Sequence, residues 1–374
     1  MLQFLLLLPL LLPSALALSA PSLEPFGQSP LLLPPAASSS CLGTWSWGNR
    51  LLYGYDESDD ERIGEAYDAA VGLGVRLFDT GDSYGTGKLR GNAERLLRGS
   101  FERTPSDPPP VFLSKIAVYP WLLTVDSYYD AILASRGRLI PPPPPTFSPS
   151  SNPSAFTAPP SPPPPHFLPS LHWSPSSYLP SQLPSLLSAL SRSYLEGHAP
   201  AVAVSNLGPS ALLSALDHFQ KRGVPVACNQ LQCSLLADYE RDVAPALRVA
   251  GDAGVATLGY SPLALGLLAT PSGEPVRGAR GLLFRAQGRD KGQLRLLEAM
   301  DEIGGRNGKT RSQVALAWVQ AKGLAPLFGA RSGAQVEDSA GGGGWGLAGE
   351  EMAELEERRV RVEKKAQRNV FLND

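Results

Sequence analysis

From about residue 41 onward, short apolar runs alternate with stretches whose apolar positions recur at helical spacing. The run "SDDERIGEAYDAAVGLG" opens on a capping-box pair, Ser58 and Glu61, and closes at Gly72 and Gly74. "VRLFDT" follows as a strand, then a helix through "AERLLRG", the strand "VFLSKI" and a helix from about Thr124 to Arg136. Beyond residue 200 the rhythm runs "AVAVSNL", a helix near 209–222, "PVACNQLQC", a helix near 241–252, and "VATLGYSPL". A helix near 310–322 and the strand "LAPLFGA" close the series, and the charged helix around Gly349–Gln367 ends on a basic, solvated face. Apolar strands that are each followed by a helix predict an α/β fold with a parallel sheet covered on both faces. A poorly formed strand before His172, and one near residues 41–47 or 75–79, bring the count to seven or eight.

A doubly wound sheet usually carries a glycine fingerprint after its first strand, and none fits. "GTGKLRG" has the wrong spacing. "GGRNGKT" imitates a phosphate-binding loop, but Ile303 stands where its first glycine belongs, and Thr310 and Gln313 form an ordinary capping box instead. A (β/α)8 TIM barrel fits better and predicts that chemistry gathers at strand C-termini.

The first forty residues are a different material. Residues 1–20 hold a Pro-interrupted apolar core with Ala15 and Ala17 at an A-x-A-like cleavage site, which reads as a secretory signal peptide rather than a membrane span. Residues 21–40, rich in Ser, Pro and Ala, read as a transit-like or linker segment. Together they predict import into a complex plastid through the secretory pathway, with residence in that pathway as the alternative. The barrel then occupies 41–374, and no stable membrane span remains in the mature chain. A net charge of −2 over 374 residues argues against an electrostatic nucleic-acid binder. The three cysteines form no even framework and share no metal-ligand spacing with the four histidines.

The strand ends are polar. Asp79 ends "VRLFD" with Tyr84 just beyond, and Lys115 ends "VFLSK". His172 follows "PSL", Ser205 and Asn206 end "AVAVSN", Gln230 ends "VACNQ", and Tyr260 and Ser261 end "VATLGYS". Taken singly, Asp79 is a helix cap, Tyr84 a loop-edge aromatic, and Ser205–Asn206 a turn. Together they set one carboxylate, one phenol, one amine and one imidazole around a single mouth. A phenol with an ordinary pKa near 10 is a sluggish acid, and a neighbouring ammonium held by a carboxylate would bring it toward a useful range. That set describes proton delivery to a carbonyl oxygen as a hydride arrives at its carbon. No side chain can supply hydride, so a nicotinamide cofactor is required.

In order, "FDTGDSYG…ERLL", "LSK", "LHW", "VSN", "NQLQ", "YSPLALGLL" and "GARSGAQVED" resemble the signature segments of the aldo-keto reductase superfamily. The resemblance implies Tyr84 as general acid, Lys115 and Asp79 as its tuning pair, and His172 as the residue that orients a small-molecule carbonyl substrate. It implies Ser205, Asn206 and Gln230 at the nicotinamide amide and Tyr260 beneath the ring. Ser261, Leu263 and Gly266 would lie along the pyrophosphate. Arg331, Ser332 and Gln335 would clamp the adenosine end, with Arg331 suited to the 2′-phosphate of NADPH. Ser339 stands where the family often has Asn. Two classes of function remain open: an NADPH-dependent reductase of small aldehydes or ketones, and an NADPH-binding regulatory or sensor protein with little turnover. "WLLTVDSYY" and the loop near 268–284 are expected to line the substrate pocket.

One tract departs from the pattern. From Pro141 to Pro169 about half the residues are proline, a composition suited to polyproline II and not to a packed helix. It predicts a disordered insertion, 139–169, before a fourth strand reduced to "HFLPSLHW", with Pro169 removing a ladder hydrogen bond. Either a long surface insertion is tolerated, or the reading frame retains non-coding sequence. The position of His172 depends on which.

Overall fold

The computed structural model describes residues 40–85, 91–140, 163–173, 182–269, 290–341, 344–363 and 371–372. Residues 1–39, where the targeting segments are expected, most of the proline tract and most of the 268–284 loop lie outside them. Eight parallel strands close into a barrel in sequence order: β1 (Cys41–Gly43), β2 (Leu77–Gly81), β3 (Val111–Ile116), β4 (His166–Leu171), β5 (Val202–Ser205), β6 (Val226–Gln232), β7 (Ala256–Tyr260) and β8 (Ala325–Gly329). β8 returns to β1 through the pairs Cys41↔Leu327 and Leu42↔Phe328. Helices Asp60–Gly72, Asn92–Arg103, Val125–Leu139, Gln182–Leu195, Pro209–Gln220, Ala244–Asp252, Arg311–Ala321 and Gly333–Ala340 follow the strands in turn, and Lys291–Asn307 and Gly349–Val360 are additional.

The two faces of each strand explain why the mouth is polar. Alternate residues point to opposite faces. On the inner face Cys41, Leu77, Val111, Leu113, Leu168, Cys228, Leu258, Ala325 and Leu327 fill the barrel with apolar side chains. One step further along the same inward series come Asp79, Lys115, Gln230 and Tyr260. The outward residues, Phe78, Phe112, Phe167, Leu171, Val202 and Val204 among them, pack under the helices. All three cysteines are buried and form no disulfide.

Four local expectations are corrected. β4 is a full strand, paired with β3 over six residues from Val111↔His166 to Ile116↔Leu171. Pro169 leaves its mark on the other side, where the ladder to β5 shrinks to the single pair Ser170↔Ala203; an edge that already lacks bonds tolerates a residue without an N–H. Leu139 belongs to a helix and residues 166–171 to β4, so the expected insertion bounds of 139–169 are too wide at both ends. The capping box before the first long helix is Asp56 with Asp59, on the 3₁₀ turn Glu57–Asp59 and two positions earlier than Ser58 and Glu61. Lastly, the basic end of helix Gly349–Val360 is not all solvated: Arg359 is buried, paired with Glu356 and Glu240 against Trp318. Thr310 and Gln313 do form the expected box. No helix among the described residues is long and apolar enough to cross a membrane.

Candidate active site

A cavity of about 730 Å³ opens at the C-terminal ends of the strands, within the size range of small-molecule sites. Asp79, Tyr84, Lys115, His172, Ser205, Asn206, Gln230, Tyr260, Ser261, Leu263, Gly266, Arg331 and Gln335 all line it. Ser332 does not; it caps helix Gly333–Ala340, accepting from the Gln335 backbone N–H. "WLLTVDSYY" is also elsewhere, since Trp121 stacks on Tyr119 at the surface and Tyr128 and Tyr129 pack beneath the helices. Of the 268–284 loop, the described residue Ala269 borders the cavity.

Tyr84 is placed by a tight turn off β2. Its N–H donates to the Gly81 carbonyl, and the Asp82 N–H donates to the carbonyl of Lys115. The buried Asp82 carboxylate accepts from the Ala117 N–H at 3.0 Å, so the turn is fastened to the end of β3. Glycine at 81 gives the turn room, since a Cβ there would sit 3.3 Å from both the Tyr84 ring and the Lys115 carbonyl and would press on each.

Lys115 and Asp79, both almost fully buried, form an ion pair on the inner face. Gln230 joins them: its Oε1 accepts from Lys115 Nζ at 3.0 Å and its Nε2 donates to Asp79 Oδ1 at 2.9 Å. The ammonium lies 5.2 Å from the Tyr84 ring centroid, and no hydrogen bond joins it to the hydroxyl. Burial, then the charge of Asp79, pushes the phenol well above its ordinary range. The expected lowering of Tyr84 by Lys115 is therefore not expressed in this geometry. Burial also lowers Lys115, with Asp79 opposing it. His172 meets Tyr84 edge to face, with ring centroids 5.9 Å apart. Burial, and secondarily the Lys115 charge, hold its imidazole well below the usual histidine range. Its Nδ1 is buried with no hydrogen-bond partner.

Next to this group, Asn206 Nδ2 donates to the His172 carbonyl and Ser205 Oγ, and its Oδ1 accepts from the Tyr260 hydroxyl. Asn206 sits at φ 60°, a left-handed conformation that Asn tolerates better than most residues. Ser261 and Leu265 have positive φ as well, so backbone strain collects along this wall. At the far end Arg331 Nη1 donates to the Tyr53 carbonyl at 3.0 Å, its guanidinium 5.6 Å from the Tyr53 ring.

Much of the rim carried no expectation: Trp45 and Ser46 from the turn after β1, Tyr53 from the short helix Arg50–Tyr53, Trp173 after β4, Gln232, and Phe371 near the C-terminus, which packs on Trp173. Trp173 stood inside a quoted motif and Trp45 beside Gly43 at the end of β1, so proximity to strand ends could have pointed to both. Phe371 has no local signal. Among the described residues, no cluster of His, Cys, Asp and Glu could hold a metal ion.

A parallel eight-stranded barrel with its polar side chains gathered at the strand C-termini belongs to the TIM-barrel class of enzymes. The model of the aldo/keto reductase family matches residues 41–122 and 168–359. A chloroplastic pyridoxal reductase from Arabidopsis thaliana is 36% identical over 345 residues, covering 90% of this chain and 87% of that protein. The chain is a member of the aldo/keto reductase family, oxidoreductases that interconvert carbonyl and alcohol groups with NADP(H). Solved structures agree on the fold. A glycerol dehydrogenase from Gluconobacter oxydans superposes with a TM-score of 0.66 at 20% identity, covering 89% of this chain and 95% of that one. An aldo-keto reductase from Klebsiella pneumoniae in complex with NADPH gives 0.60 at 22% identity, covering 90% and 94%.

Proposed function

We propose that the protein reduces small aldehydes or ketones to alcohols with NADPH, and that Tyr84 is the general acid. The observation that carries this reading is the convergence of Asp79, Tyr84, Lys115 and His172, from three successive strand ends, on one cavity. The same cavity extends past Gln230, Tyr260 and Ser261 to Arg331, Gln335 and Ser339. Its wall suits an extended polar ligand: the Ser46 hydroxyl is buried there without a partner, and the positive-φ residues Ser261 and Leu265 border it. Ser205, Asn206 and Gln230 would hold the nicotinamide amide, Tyr260 the ring face, and Arg331 the 2′-phosphate. Bound there, the cofactor supplies the hydride that no side chain can.

The chain's own residues handle the proton and the substrate oxygen. Because burial keeps the Tyr84 phenol protonated across the physiological range, it is a standing donor to an oxygen at the mouth. Neutral His172 can hydrogen-bond the same oxygen without adding a second positive charge. Lys115 brings positive potential near the developing phenolate, and Asp79 keeps the buried ammonium charged. Trp45, Trp173 and Phe371 form an aromatic rim suited to a flat substrate. With the Arabidopsis relative named for pyridoxal, an aromatic aldehyde of that type is the first substrate to try. The chloroplastic name of that relative also supports reading residues 1–40 as plastid targeting ahead of a barrel at 41–374.

The purified mature chain, incubated with NADPH and a panel of aldehydes and ketones that includes pyridoxal, should oxidise the cofactor with at least one of them. Tight NADPH binding with no turnover across the panel would favour the sensor reading instead.

A further inference from the structure

Gln230 stands where two networks meet. Its side-chain amide is turned toward the barrel axis, with one end on Lys115 and the other on Asp79. Its main-chain carbonyl accepts from Ser205 Oγ at 3.1 Å, and Ser205 in turn accepts from Asn206. The residue thus belongs both to the ionic group beneath Tyr84 and to the polar wall assigned above to the nicotinamide amide. Those two roles compete. Two of the three Lys115 N–H bonds are held by Asp79 and Gln230, and their combined pull fixes Nζ where it makes no bond to the Tyr84 hydroxyl. Of the two restraints, the bond to the neutral amide is the weaker, because the bond to Asp79 is charged on both sides.

We propose that Gln230 is a positioning residue that exchanges partners: when a carboxamide occupies the cavity, the Gln230 amide turns to it and releases Lys115, whose ammonium then donates to the Tyr84 hydroxyl. The inference rests on the reading of Tyr84 as general acid. It gives the enzyme an acid that is polarised only when the hydride source is in place. Without the cofactor, the phenol stays locked in its protonated form by burial.

The exchange can be read in protein that holds no cofactor. Gln230→Met keeps the volume and removes both amide bonds, so it should release Lys115 permanently. Tyr84 ionisation can be followed as the alkaline ultraviolet difference between each protein and its Tyr84→Phe partner. The groups facing Tyr84 are Tyr53 after β1, Asp79 on β2, Lys115 on β3, His172 after β4 and Tyr260 on β7. All of them are common to both proteins. The Tyr84 transition should fall by about one pH unit or more in Gln230→Met. A transition at the same pH in both proteins would overturn the exchange, because it would show that freeing Lys115 from Gln230 leaves the Tyr84 hydroxyl unchanged. Should Gln230→Met fail to fold, crystal structures of the unsubstituted protein with and without NADP⁺ decide. Lys115 Nζ should leave Gln230 Oε1 and bond the Tyr84 hydroxyl in the complex; persistence of the 3.0 Å bond there overturns the proposal. If the reading of Tyr84 itself is wrong, Tyr84→Phe will keep its turnover, a result separate from either measurement.

Discussion

Ser114 and Lys115 are neighbours on β3 that face opposite ways, and they anchor two buried ionic groups of different character. Outward, Ser114 Oγ donates to Glu94 Oε1 at 2.6 Å, Ser135 Oγ donates to the same oxygen, and Arg138 pairs with the other. Glu94 is fully buried, and every member of the group has a partner. Inward, Lys115, Asp79 and Gln230 satisfy one another, but the neighbouring His172 Nδ1 has no partner and Tyr84 makes no bond to Lys115. A closed network between strand and helices holds the fold together. An open one beside a cavity directs its unused hydrogen-bonding capacity at a ligand. The comparison predicts that damage to the two groups separates cleanly into lost stability and lost chemistry.

The largest effect should come from the outward group. Glu94→Ala leaves Arg138 and two serines without their acceptor and should cost about 3–5 kcal/mol of stability. Below its melting temperature the variant should keep kcat within a few-fold, measured by NADPH oxidation. A stable variant with lost turnover would break the comparison.

Tyr84→Phe tests the other side. It should lower kcat by at least about a hundredfold, the scale of lost general acid catalysis, with Tm moved by no more than about 2 °C, the scale of about 1 kcal/mol in a chain of this length. NADPH affinity should hold, and unchanged kcat would sink the assignment. Arg331→Ala should act on affinity alone. A guanidinium can pair with a 2′-phosphate through charge-assisted, bidentate bonds, so the Kd for NADPH should rise about tenfold or more, while that for NADH moves little. Equal losses for both cofactors would show that Arg331 does not read the phosphate.

A smaller effect follows from His172. Its folded pKa is depressed by burial and by Lys115, so the unfolded chain takes up a proton below about pH 6.5 that the folded chain refuses. Stability attributable to this group is present above that pH and is lost as pH falls through the unfolded value toward the folded one. The loss is at most about 1.4 kcal/mol per pH unit. His172→Gln should therefore flatten the dependence of Tm on pH between about 6.5 and 5. An unchanged slope would mean that His172 is protonated in the folded protein.

The roles most legible in the sequence were those set by a residue's place at a strand end. Period-two alternation puts Asp79, Lys115, Gln230 and Tyr260 on the inner face, and a parallel barrel sends all of them to one mouth. What could not be read were contacts between residues far apart in the chain. The bond from Gln230 to Lys115 spans 115 positions, and Phe371 reaches Trp173 from near the C-terminus. The burial of Arg359 was hidden because its partner Glu240 lies 119 residues away; with only the neighbouring Glu356 visible, the basic helix end looks like a solvated i,i+3 pair. β4 was underrated for a related reason. Pro169 counted against it locally, while the six-residue register with β3 that secures it is not local.

The smallest effect should come from replacing residues 141–162 with a shorter Gly/Ser linker. Their composition offers little apolar side chain to bury, and both flanks are anchored without them. On one side Leu139 is fully buried and Arg138 is tied to Glu94. On the other, the His166 N–H donates to the Pro110 carbonyl at 2.9 Å and β4 zips onto β3. Shortening a connection changes closure entropy only slowly, so Tm should shift by no more than about 2 °C. NADPH affinity should hold, because every described cofactor-side residue lies outside the tract. The pH profile should hold too, since Asp79, Tyr84 and Lys115 come from strands that precede it. His172 is the sensitive reporter, because it follows β4 directly: a raised kcat in the shortened chain would mean that the tract loads β4. Loss of NADPH binding, or unfolding, would show that the tract supports the barrel and would overturn its reading as a passive connection.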